Sequence, residues 1–572
     1  MRKISLVLVA LLLFFTCCNQ PERSPDEVRI RLATEPETLS PVSYSDAGGL
    51  QVINLLFQSL LSADLATDQM KPFLANRMPI VERQDSVTLF TYELREEASW
   101  ADGSPVTAAD VAFTLKVLKA PLLNNEQLRP QVAFIQDISV SPENPKRFTL
   151  VAKGYTPEME LLTGDFFILP AYLFDPDGLM KSVAVKDLNG DLSELENNDN
   201  LKRYAAKFNT PDFGRNPALL QGSGGYVLEK WANGQYLTLK RKDDWWGNTT
   251  ANTGHLTANP ERITFQIIPE NTTALLALKN RQLDVLDNIS ADEFEDLRKD
   301  KSFLQEYALY TPDAYEFVYA GINTRLPKFS DKRTRQAIAH LLDVNSVIKV
   351  SQQNYATPTV GPVPPSVKAY YNNNLQPYPL NTAKATELLK AAGWEREPQG
   401  WFKNINGKRV QLTLTVNYRA GNTTYENAAI ILQQHAAELG IPVQVQGLEN
   451  SLLSDKLKSH DFDLFFRSLS GNPFVFNFQP LFHTSFAGIG GPNYTGVGTP
   501  ESDRLLLAIN ETADPAEKAK LLKRLQEVLY EEAAFISMYY QKERLAAHRR
   551  FENLHISGLK PNYDVSAFRL KE

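Results

Sequence analysis

The chain has 572 residues, of which 43% are hydrophobic and 22% are charged, and its formal net charge is −7. A chain of this length exceeds what one hydrophobic core usually supports, so two or three domains are expected. The net charge becomes −9 if Arg2 and Lys3 leave with an N-terminal signal. This excess of negative charge argues against a nucleic-acid partner and against electrostatic binding to anionic lipid.

The N-terminus has the pattern of a secretion signal. Arg2 and Lys3 precede an apolar run over residues 4–15, which is too short for a transmembrane helix and suits the hydrophobic part of a signal. The only two cysteines follow it, at Cys17 and Cys18. Residues 1–18 are therefore predicted to be a lipoprotein signal that ends at the lipidation site Cys18. Cys17 is the alternative lipidation site, and a plain cleavable signal is a third interpretation.

The rest of the chain would then be a cysteine-free body on a short linker. Residues 19–27 are polar and proline-rich, and we expect them to form a tether. Without cysteine, the body has no disulfide, no thiol nucleophile and no cysteine-based metal site.

The first strongly patterned elements of the body lie between residues 87 and 118. Residues 87–94 alternate between polar and apolar side chains, which predicts a strand with one buried face. Asp102-Gly103 predicts a tight turn, because glycine adopts a positive φ at little steric cost. A helix is then expected to begin after Thr107, whose hydroxyl would cap it, with Asp110 at the positive end of its dipole.

A second patterned region lies in the C-terminal half. Apolar side chains alternate over residues 410–416, so one strand is expected there, and the Asn406-Gly407 turn predicts a hairpin with the residues before it. A helix over 425–439 then ends at a glycine and leads to a short strand at 443–445. This order is a β-α-β unit, so its two strands are expected to pair in parallel through a right-handed crossover.

Nothing in the sequence nominates an enzyme. The seven histidines show no metal-ligand spacing on one helix face, so no metal site is predicted. Two glycine-rich stretches, 222–226 and 488–491, lack the Lys-Ser/Thr ending of a phosphate-binding loop. Asp243 and Asp244 are adjacent and point apart, which does not suit a pair of catalytic carboxylates. No intrinsic cofactor is expected.

Short motifs spread over residues 28–550 carry a family resemblance. In chain order they are 33–41 (ATEPETLSP), 56–61 (LFQSLL), 94–118 (LREEASWADGSPVTAADVAFTLKVL), 222–226 (GSGGY), 240–247 (KRKDDWWG), 274–284 (ALLALKNRQLD), 323–324 (NT), 333–338 (RTRQAI), 388–394 (LLKAAGW) and 461–464 (DFDL). Each motif alone is weak evidence of a family relationship, but so many motifs in the same order are improbable by chance. Together they resemble the family-5 extracellular solute-binding proteins, the peptide- and nickel-type receptors of ABC importers.

The resemblance implies an α/β protein with the two-lobed periplasmic-binding-protein fold (type II, cluster C) and an additional domain. Lobe I would be discontinuous, formed by residues 28–60, 213–310 and 541–572. The additional domain would span 61–212, and lobe II would span 311–540. The hinge would lie near Thr311–Tyr315 and near Gln541.

The same resemblance implies a ligand site between the lobes. Its members are expected in the first loop of lobe I, beside the hinge and in a late turn of lobe II: Tyr44, Asp46, Ala47, Tyr315, Tyr319, Leu469, Ser470, Gly471 and Asn472. In the family's peptide receptors an aspartate of the last segment pairs with the α-ammonium, whereas this chain has no carboxylate there. A buried ammonium without a counter-charge is costly. Either another carboxylate, Asp46 for instance, takes that role, or the ligand has no free amine.

Taken together, the sequence predicts a lipid-anchored, monomeric receptor that faces the periplasm or the cell surface. It would capture a peptide-like solute by hinge closure and deliver it to an ABC permease and its ATPase. A receptor for a non-peptide solute, such as an oligosaccharide or a metal chelate, is one alternative. A sensor or adhesion lipoprotein without a transport role is the other.

Overall fold

The computed structural model describes residues 26–250, 255–512 and 514–571. The predicted signal, both cysteines and nearly all of the predicted tether lie outside these residues. Within the described ranges, no helix combines the length and the apolar character that a bilayer crossing requires.

The strands divide among several sheets. In chain order they are β1 (Glu27–Leu32), β2 (Leu61–Asp64), β3 (Gln69–Pro72), β4 (Ile80–Arg83), β5 (Val87–Glu93), β6 (Ile135–Val140), β7 (Arg147–Lys153), β8 (Tyr226–Ala232), β9 (Tyr236–Arg241), β10 (Arg262–Ile267), β11 (Val285–Leu286), β12 (Tyr307–Tyr310), β13 (Asp313–Ile322), β14 (Ala356–Pro358), β15 (Glu395–Glu397), β16 (Gly400–Ile405), β17 (Lys408–Gln411), β18 (Leu414–Arg419), β19 (Val443–Leu448), β20 (Leu464–Ser470), β21 (Phe535–Lys542), β22 (Leu545–His548), β23 (Phe551–Glu552) and β24 (Arg569–Leu570).

The longer helices cover the sheets. They are α1 (Ala47–Leu56), α2 (Ala108–Lys119), α3 (Asp199–Phe208), α4 (Asn271–Lys279), α5 (Ala291–Lys299), α6 (Lys332–Ala339), α7 (Val344–Gln352), α8 (Thr382–Ala391), α9 (Thr423–Glu438), α10 (Asn450–Lys458), α11 (Pro500–Glu511) and α12 (Pro515–Glu532). Shorter helical turns fill the connections, including one at 185–188, whose Val185 and Leu188 are buried, and one at 193–196 in an exposed, polar part of the chain.

Two large mixed sheets organise the molecule. The seven-stranded sheet has the order β12-β22-β11-β1-β10-β9-β8, and the six-stranded sheet has the order β14-β21-β13-β20-β18-β19. A four-stranded antiparallel sheet, β4-β5-β7-β6, stands apart from both. Its core is continuous with that of the seven-stranded sheet, because Phe90 and Leu150 belong to the same buried cluster as Val28 and Ile30.

The six-stranded sheet is buried on both faces. Along β13, Phe317 and Tyr319 point into one hydrophobic cluster, whereas Val318 and Ala320 point into another. This alternation follows from the two-residue period of a strand. The sequence of β13 accordingly has apolar residues in succession, the pattern of a strand that is covered on both sides.

Several local predictions are confirmed. Strand β5 covers nearly all of the predicted 87–94 strand, with Phe90 and Tyr92 buried. Helix α2 begins after Thr107, and there the Asp110 carboxylate accepts hydrogen bonds from the Thr107 backbone N–H at 2.9 Å and from its hydroxyl at 3.0 Å. The β-α-β unit is present as well, because β18 and β19 pair in parallel on either side of α9.

The single strand predicted over residues 410–416 is wrong. The structure divides it into β17, which ends at Gln411, and β18, which begins at Leu414. Strand β17 pairs with β16 in a small three-stranded sheet, while β18 joins the six-stranded sheet. Side-chain alternation continues through the break, so periodicity alone does not reveal that the chain changes sheets.

The predicted hairpin turn offers a test of backbone strain. Asn406 and Gly407 connect the paired residues Ile405 and Lys408, and both adopt positive φ, at 52° and 75°. A Cβ at Gly407 would meet nothing within 4 Å. Gly407→Ala should therefore lower the free energy of unfolding by about 1 kcal/mol through backbone strain alone. Chemical denaturation measures the free energy of unfolding, and Asn406→Gly should lower it little. An equal loss in both variants would contradict this interpretation.

Candidate functional site

Two chain crossings connect the large sheets. The chain leaves the seven-stranded sheet at Tyr310 and enters the six-stranded sheet at Asp313, then returns between Lys542 and Leu545. The two crossings run side by side, since Tyr310 pairs with Leu545 and Asp313 pairs with Lys542. A pair of adjacent short crossings between two rigid bodies is the geometry of a hinge.

The carboxyl ends of parallel strands face these crossings from both sheets. In the seven-stranded sheet, β1 and β11 run in the same direction, and Leu286 at the end of β11 pairs with Ala546, close to the crossing. In the six-stranded sheet, Ser470 at the end of β20 pairs with Glu316 near the start of β13. Ligands of α/β proteins bind beyond the carboxyl ends of parallel strands, so the candidate site lies between these two edges.

The structure places Tyr44 and Asp46 in the loop before α1 and Ala47 at the first position of that helix. Asp46 is the N-cap of α1, and its Oδ1 accepts a hydrogen bond of 2.7 Å from the Gly49 backbone N–H. Ala47 is exposed as the first residue of the helix. Because one carboxylate oxygen of Asp46 caps the helix, the structure gives this residue a structural role that the sequence analysis did not assign to it.

On the lobe II side, Tyr315 and the turn after β20 lie together. The Gly471 backbone N–H donates a 2.7 Å hydrogen bond to the Tyr315 carbonyl oxygen. Asn472 Oδ1 accepts from the backbone N–H groups of Phe474 and Val475, so its side chain shapes the turn. Ser470 and Gly471 are exposed at the tip, whereas Leu469 packs partly buried against the neighbouring hydrophobic cluster.

Tyr319 is buried among aromatic side chains of the six-stranded sheet. Its ring stacks on Phe535 with centroids 4.1 Å apart and meets the edge of Phe465 at 5.6 Å. Only 3% of the residue is exposed. Burial raises the pKa of its hydroxyl. This position favours a role in the core of lobe II and does not support the predicted ligand contact.

One side chain connects the additional domain to the hinge region. Asp68, in the turn between β2 and β3, accepts a 2.8 Å hydrogen bond from the Tyr315 hydroxyl through Oδ2. Its Oδ1 accepts from the Ser557 hydroxyl. Burial and the hydrogen bond to Asp68 raise the pKa of the Tyr315 hydroxyl, so the phenol stays protonated and donates.

A cavity of about 280 Å³ adjoins the lobe I side of the site. Its walls come from α1, from the β2–β3 region, from residues 165–167 and from the C-terminal segment 560–566. Of the predicted residues, only Tyr44 lines it. The polar lining that the sequence analysis missed includes Gln51, Asn54, Gln58, Asp165, His255 and Tyr563. A usable signal was present at Asp165, the lone charge within the apolar stretch 161–170.

The site has the features of a binding cleft. In the described part of the chain, no group of three or more histidine, cysteine, aspartate or glutamate side chains converges as a metal site would require. Two large sheets joined by two adjacent crossings, with polar loops at the strand ends of each sheet, are the geometry of a receptor that binds a solute in a cleft between two lobes.

Comparison with known proteins agrees with this class. The family described as "Bacterial extracellular solute-binding proteins, family 5 Middle" matches residues 63–488, more than half of the chain. The chain therefore belongs to the family-5 extracellular solute-binding proteins. As a member, it is a binding receptor rather than an enzyme, and it works with an ABC transporter outside the cytoplasm.

Individual relatives are distant in sequence and similar over their full length. The chain is 23% identical to the oligopeptide-binding protein AppA of Bacillus subtilis, over 99% of this chain and 97% of that protein. Among solved structures, HbpA2 of Haemophilus parasuis has a TM-score of 0.75 at 19% identity, covering 96% of this chain and 100% of that one. NikZ of Campylobacter jejuni, solved with Ni(L-His), has a TM-score of 0.66 at 20% identity, covering 96% of this chain and 100% of that one. These similarities confirm the two-lobed fold.

Proposed function

We propose that this protein is the solute-binding lipoprotein of an ABC importer and that it captures a peptide-like solute between its two lobes. The observation that carries the proposal is the pair of adjacent crossings between the two large sheets, at Tyr310–Asp313 and Lys542–Leu545. The solute would contact the loop of Tyr44–Ala47 on one side and the turn of Ser470–Asn472 on the other. Lobe I would comprise residues 28–60, 213–310 and 541–572, the additional domain 61–212, and lobe II 311–540. Closure about the crossings buries the solute, and the closed form docks on the permease.

The backbone at the site suits a peptide. Ser470 and Gly471 are exposed at the carboxyl end of β20, beyond the stretch of that strand that pairs with β18. Main-chain groups on that unpaired side of the strand can hydrogen-bond an extended ligand. Several relatives are known as oligopeptide-binding proteins, and the AppA structure holds a nonapeptide.

The proposal is tested by native mass spectrometry of the gently purified protein, compared with its denatured mass. We expect an adduct that resolves into peptides, and a melting temperature that rises when a peptide mixture is added, because a ligand that binds only the folded state stabilises it. The same assay with an oligosaccharide panel and with nickel–histidine serves as control. Stabilisation by one of these and by no peptide would contradict the peptide assignment.

A metal chelate is the second candidate solute. The lobe II turn has no carboxylate to pair with a peptide ammonium, and NikZ was solved with a nickel–histidine complex. The chelate candidate would gain support if nickel–histidine raised the melting temperature at concentrations where histidine alone did not.

The membrane anchor is tested at the two cysteines. We expect Cys18→Ala to move the protein from the membrane fraction to the soluble fraction, because the diacylated thiol is the attachment point. Cys17→Ala should remain membrane-bound and serves as the matched control. Release of Cys17→Ala alone would assign the anchor to Cys17, and release of neither variant would contradict lipidation.

A further inference from the structure

The additional domain, residues 61–212, contacts lobe II at two separate places. One contact is at Tyr315 near the start of β13, and the other is at Glu511, the last residue of α11. The additional domain shares one hydrophobic cluster with the seven-stranded sheet, whereas β13 and α11 pack in the clusters of the six-stranded sheet. Both contacts therefore join the two bodies that the chain crossings connect.

The first contact is a carboxylate that accepts hydrogen bonds from both bodies. Asp68 lies in the turn between β2 and β3, where its Oδ2 accepts from the Tyr315 hydroxyl at 2.8 Å and its Oδ1 accepts from the Ser557 hydroxyl. Tyr315 and Ser557 are 8% and 2% exposed, so water has little access to the two donors. Hydrogen bonds to a charged acceptor are stronger than neutral ones, and burial limits competition from water.

Ser557 is fixed within its own segment. Its hydroxyl oxygen accepts from the Leu559 backbone N–H at 2.8 Å, and its backbone N–H donates to the Asn562 carbonyl oxygen at 2.9 Å. The next residue, Gly558, lies against the Asp313 backbone with no room for a Cβ. A firmly held neighbour therefore orients Asp68, whose second carboxylate oxygen binds lobe II.

Tyr315 connects Asp68 to the turn of the predicted solute site. Its hydroxyl donates to Asp68, and its backbone carbonyl oxygen accepts from the Gly471 N–H at 2.7 Å. Because the hydroxyl proton is used by Asp68, it is not available to a solute. The position of the turn after β20 thus depends on how β13 is held against the additional domain.

The second contact lies at the end of α11. Arg83, on β4, donates from Nη1 to the Glu511 carbonyl oxygen at 3.3 Å, and its guanidinium lies 3.4 Å from the centroid of the Tyr155 ring. The last carbonyl groups of a helix lack intrahelical partners and form the negative end of its dipole, so a cation is favoured there. Burial lowers the pKa of the nearby Lys518 ammonium, and the charge of Glu160 opposes that shift. Lys518 of α12 is thus close to an acid of the additional domain.

This second contact lies at the edge of lobe II where the crossings enter. Helix α12 and strand β21 pack in one cluster, and only residues 533 and 534 separate them, so they run in opposite directions. Their 18 and 8 residues span similar lengths, roughly 27 and 26 Å. Because β21 ends at the crossing, the start of α12 and the end of α11 before it lie at the edge that faces lobe I. The additional domain therefore reaches lobe II across the cleft.

We propose that these two contacts, Asp68–Tyr315 and Arg83–Glu511, form a clasp by which the additional domain holds lobe II closed over the solute. The proposal rests on the proposed function as a peptide receptor and gives the additional domain a role in it. Asp68 and Arg83 are positioning residues, because they act on the solute through the position of lobe II. Opening about the crossings breaks both contacts, so they stabilise the closed form alone and raise the affinity for a solute that it encloses.

The test is a thermal-shift titration of the purified full chain with a pancreatic casein digest as the source of peptides. Affinity is measured as the digest concentration that raises each protein's melting temperature by a fixed amount, since that concentration scales with the dissociation constant. We expect Asp68→Ala and Tyr315→Phe each to raise it about tenfold, because each removes the same hydrogen bond to a charged group. The double variant should raise it no further. A merely structural role would lower the melting temperature without digest and leave this concentration unchanged.

The exposed half of the clasp has a matched control. Arg83→Gln should raise the digest concentration only about threefold, because exposed contacts contribute less than buried ones. Arg77 is also an exposed arginine of the additional domain, but it pairs with Glu93 of the same domain at 3.3 Å. Arg77→Gln should therefore leave the concentration unchanged.

The outcomes separate the clasp from the peptide receptor. Equal concentrations for the unmodified chain and both single variants would overturn the clasp and leave the peptide receptor intact. A loss in Tyr315→Phe without one in Asp68→Ala would assign the effect to direct solute contact and would also overturn the clasp. Tighter binding by either variant would show that the contacts hold the lobes open, contrary to the proposal. If the digest did not stabilise the unmodified chain, the peptide receptor and the clasp would both be overturned.

Discussion

Replacing Asp284 by Asn is expected to lower the free energy of unfolding by about 3 kcal/mol. The Asp284 side chain is 0% exposed, and its two carboxylate oxygens accept from Arg550 Nε at 3.0 Å and Nη2 at 3.1 Å. Oδ2 also accepts from the Arg29 backbone N–H at 2.8 Å, which joins β1 to the start of β11. The amide of Asn would remove the negative charge that faces the partly buried guanidinium of Arg550. The cost falls at the lower end of the range for buried pairs because Arg550 is 22% exposed.

Asp296→Asn supplies the matched control. Asp296 is 77% exposed and pairs with Lys299 at 3.6 Å within one helix, so its loss should change stability by less than about 0.5 kcal/mol. Both variants are compared with the unmodified chain by chemical denaturation. If Asp284→Asn were as stable as Asp296→Asn, the buried pair would not hold β1 and β11 together as the geometry indicates.

Gly558→Ala is expected to destabilise the contact between the C-terminal segment and the hinge by about 1–3 kcal/mol. A Cβ at Gly558 would overlap the carbonyl oxygen of Asp313 and stand 2.8 Å from its carbonyl carbon. Both atoms belong to the backbone at the start of β13, so no side-chain rotation relieves the overlap. The C-terminal segment or the crossing strand must move, and solute affinity should fall with it.

Gly488→Ala separates this effect from the general cost of adding a methyl group. A Cβ at Gly488 meets nothing within 4 Å, and its φ is not positive. We expect its melting temperature and radius of gyration by X-ray scattering to match those of the unmodified chain, while Gly558→Ala changes both. Indistinguishable melting temperatures in the two variants would show that the hinge accommodates the extra carbon.

The motifs that reveal the family are mostly structural. Trp245 and Trp246 both donate their indole N–H to the Ser223 carbonyl oxygen at 2.9 Å. Gly222 and Gly224 lie so close to the end of α1 that a Cβ on either would overlap its backbone. These residues fix how strands and helices of lobe I pack. Their pattern therefore predicts the fold, but it does not indicate which solute binds.

Local elements were predictable where short-range rules decide them. The alternation of β5, the start of α2 at Thr107 and the Asn406-Gly407 turn depend on neighbours within a few residues. The break between β17 and β18 was not predictable, because side chains keep alternating while the chain moves from one sheet to another. Which sheet a strand joins depends on partners distant in sequence.

Some features of the candidate site were likewise predictable from the sequence, and others were not. Its two loops were predicted from family position, and the structure places Tyr315 beside Gly471 at the hinge. The cap formed by Asp46 and the burial of Tyr319 depend on contacts that family position does not describe.

The sequence by itself determined the family, the α/β class and the two-lobed architecture, because ordered motifs and side-chain periodicity encode how each element packs. It also showed that the lobe II turn has no carboxylate. Only the tertiary structure decided that Tyr319 is buried against Phe535 and that α1, residues 165–167 and residues 560–566 close around one cavity. These contacts join segments far apart along the chain, and neither side-chain periodicity nor the order of the motifs records which distant segments meet.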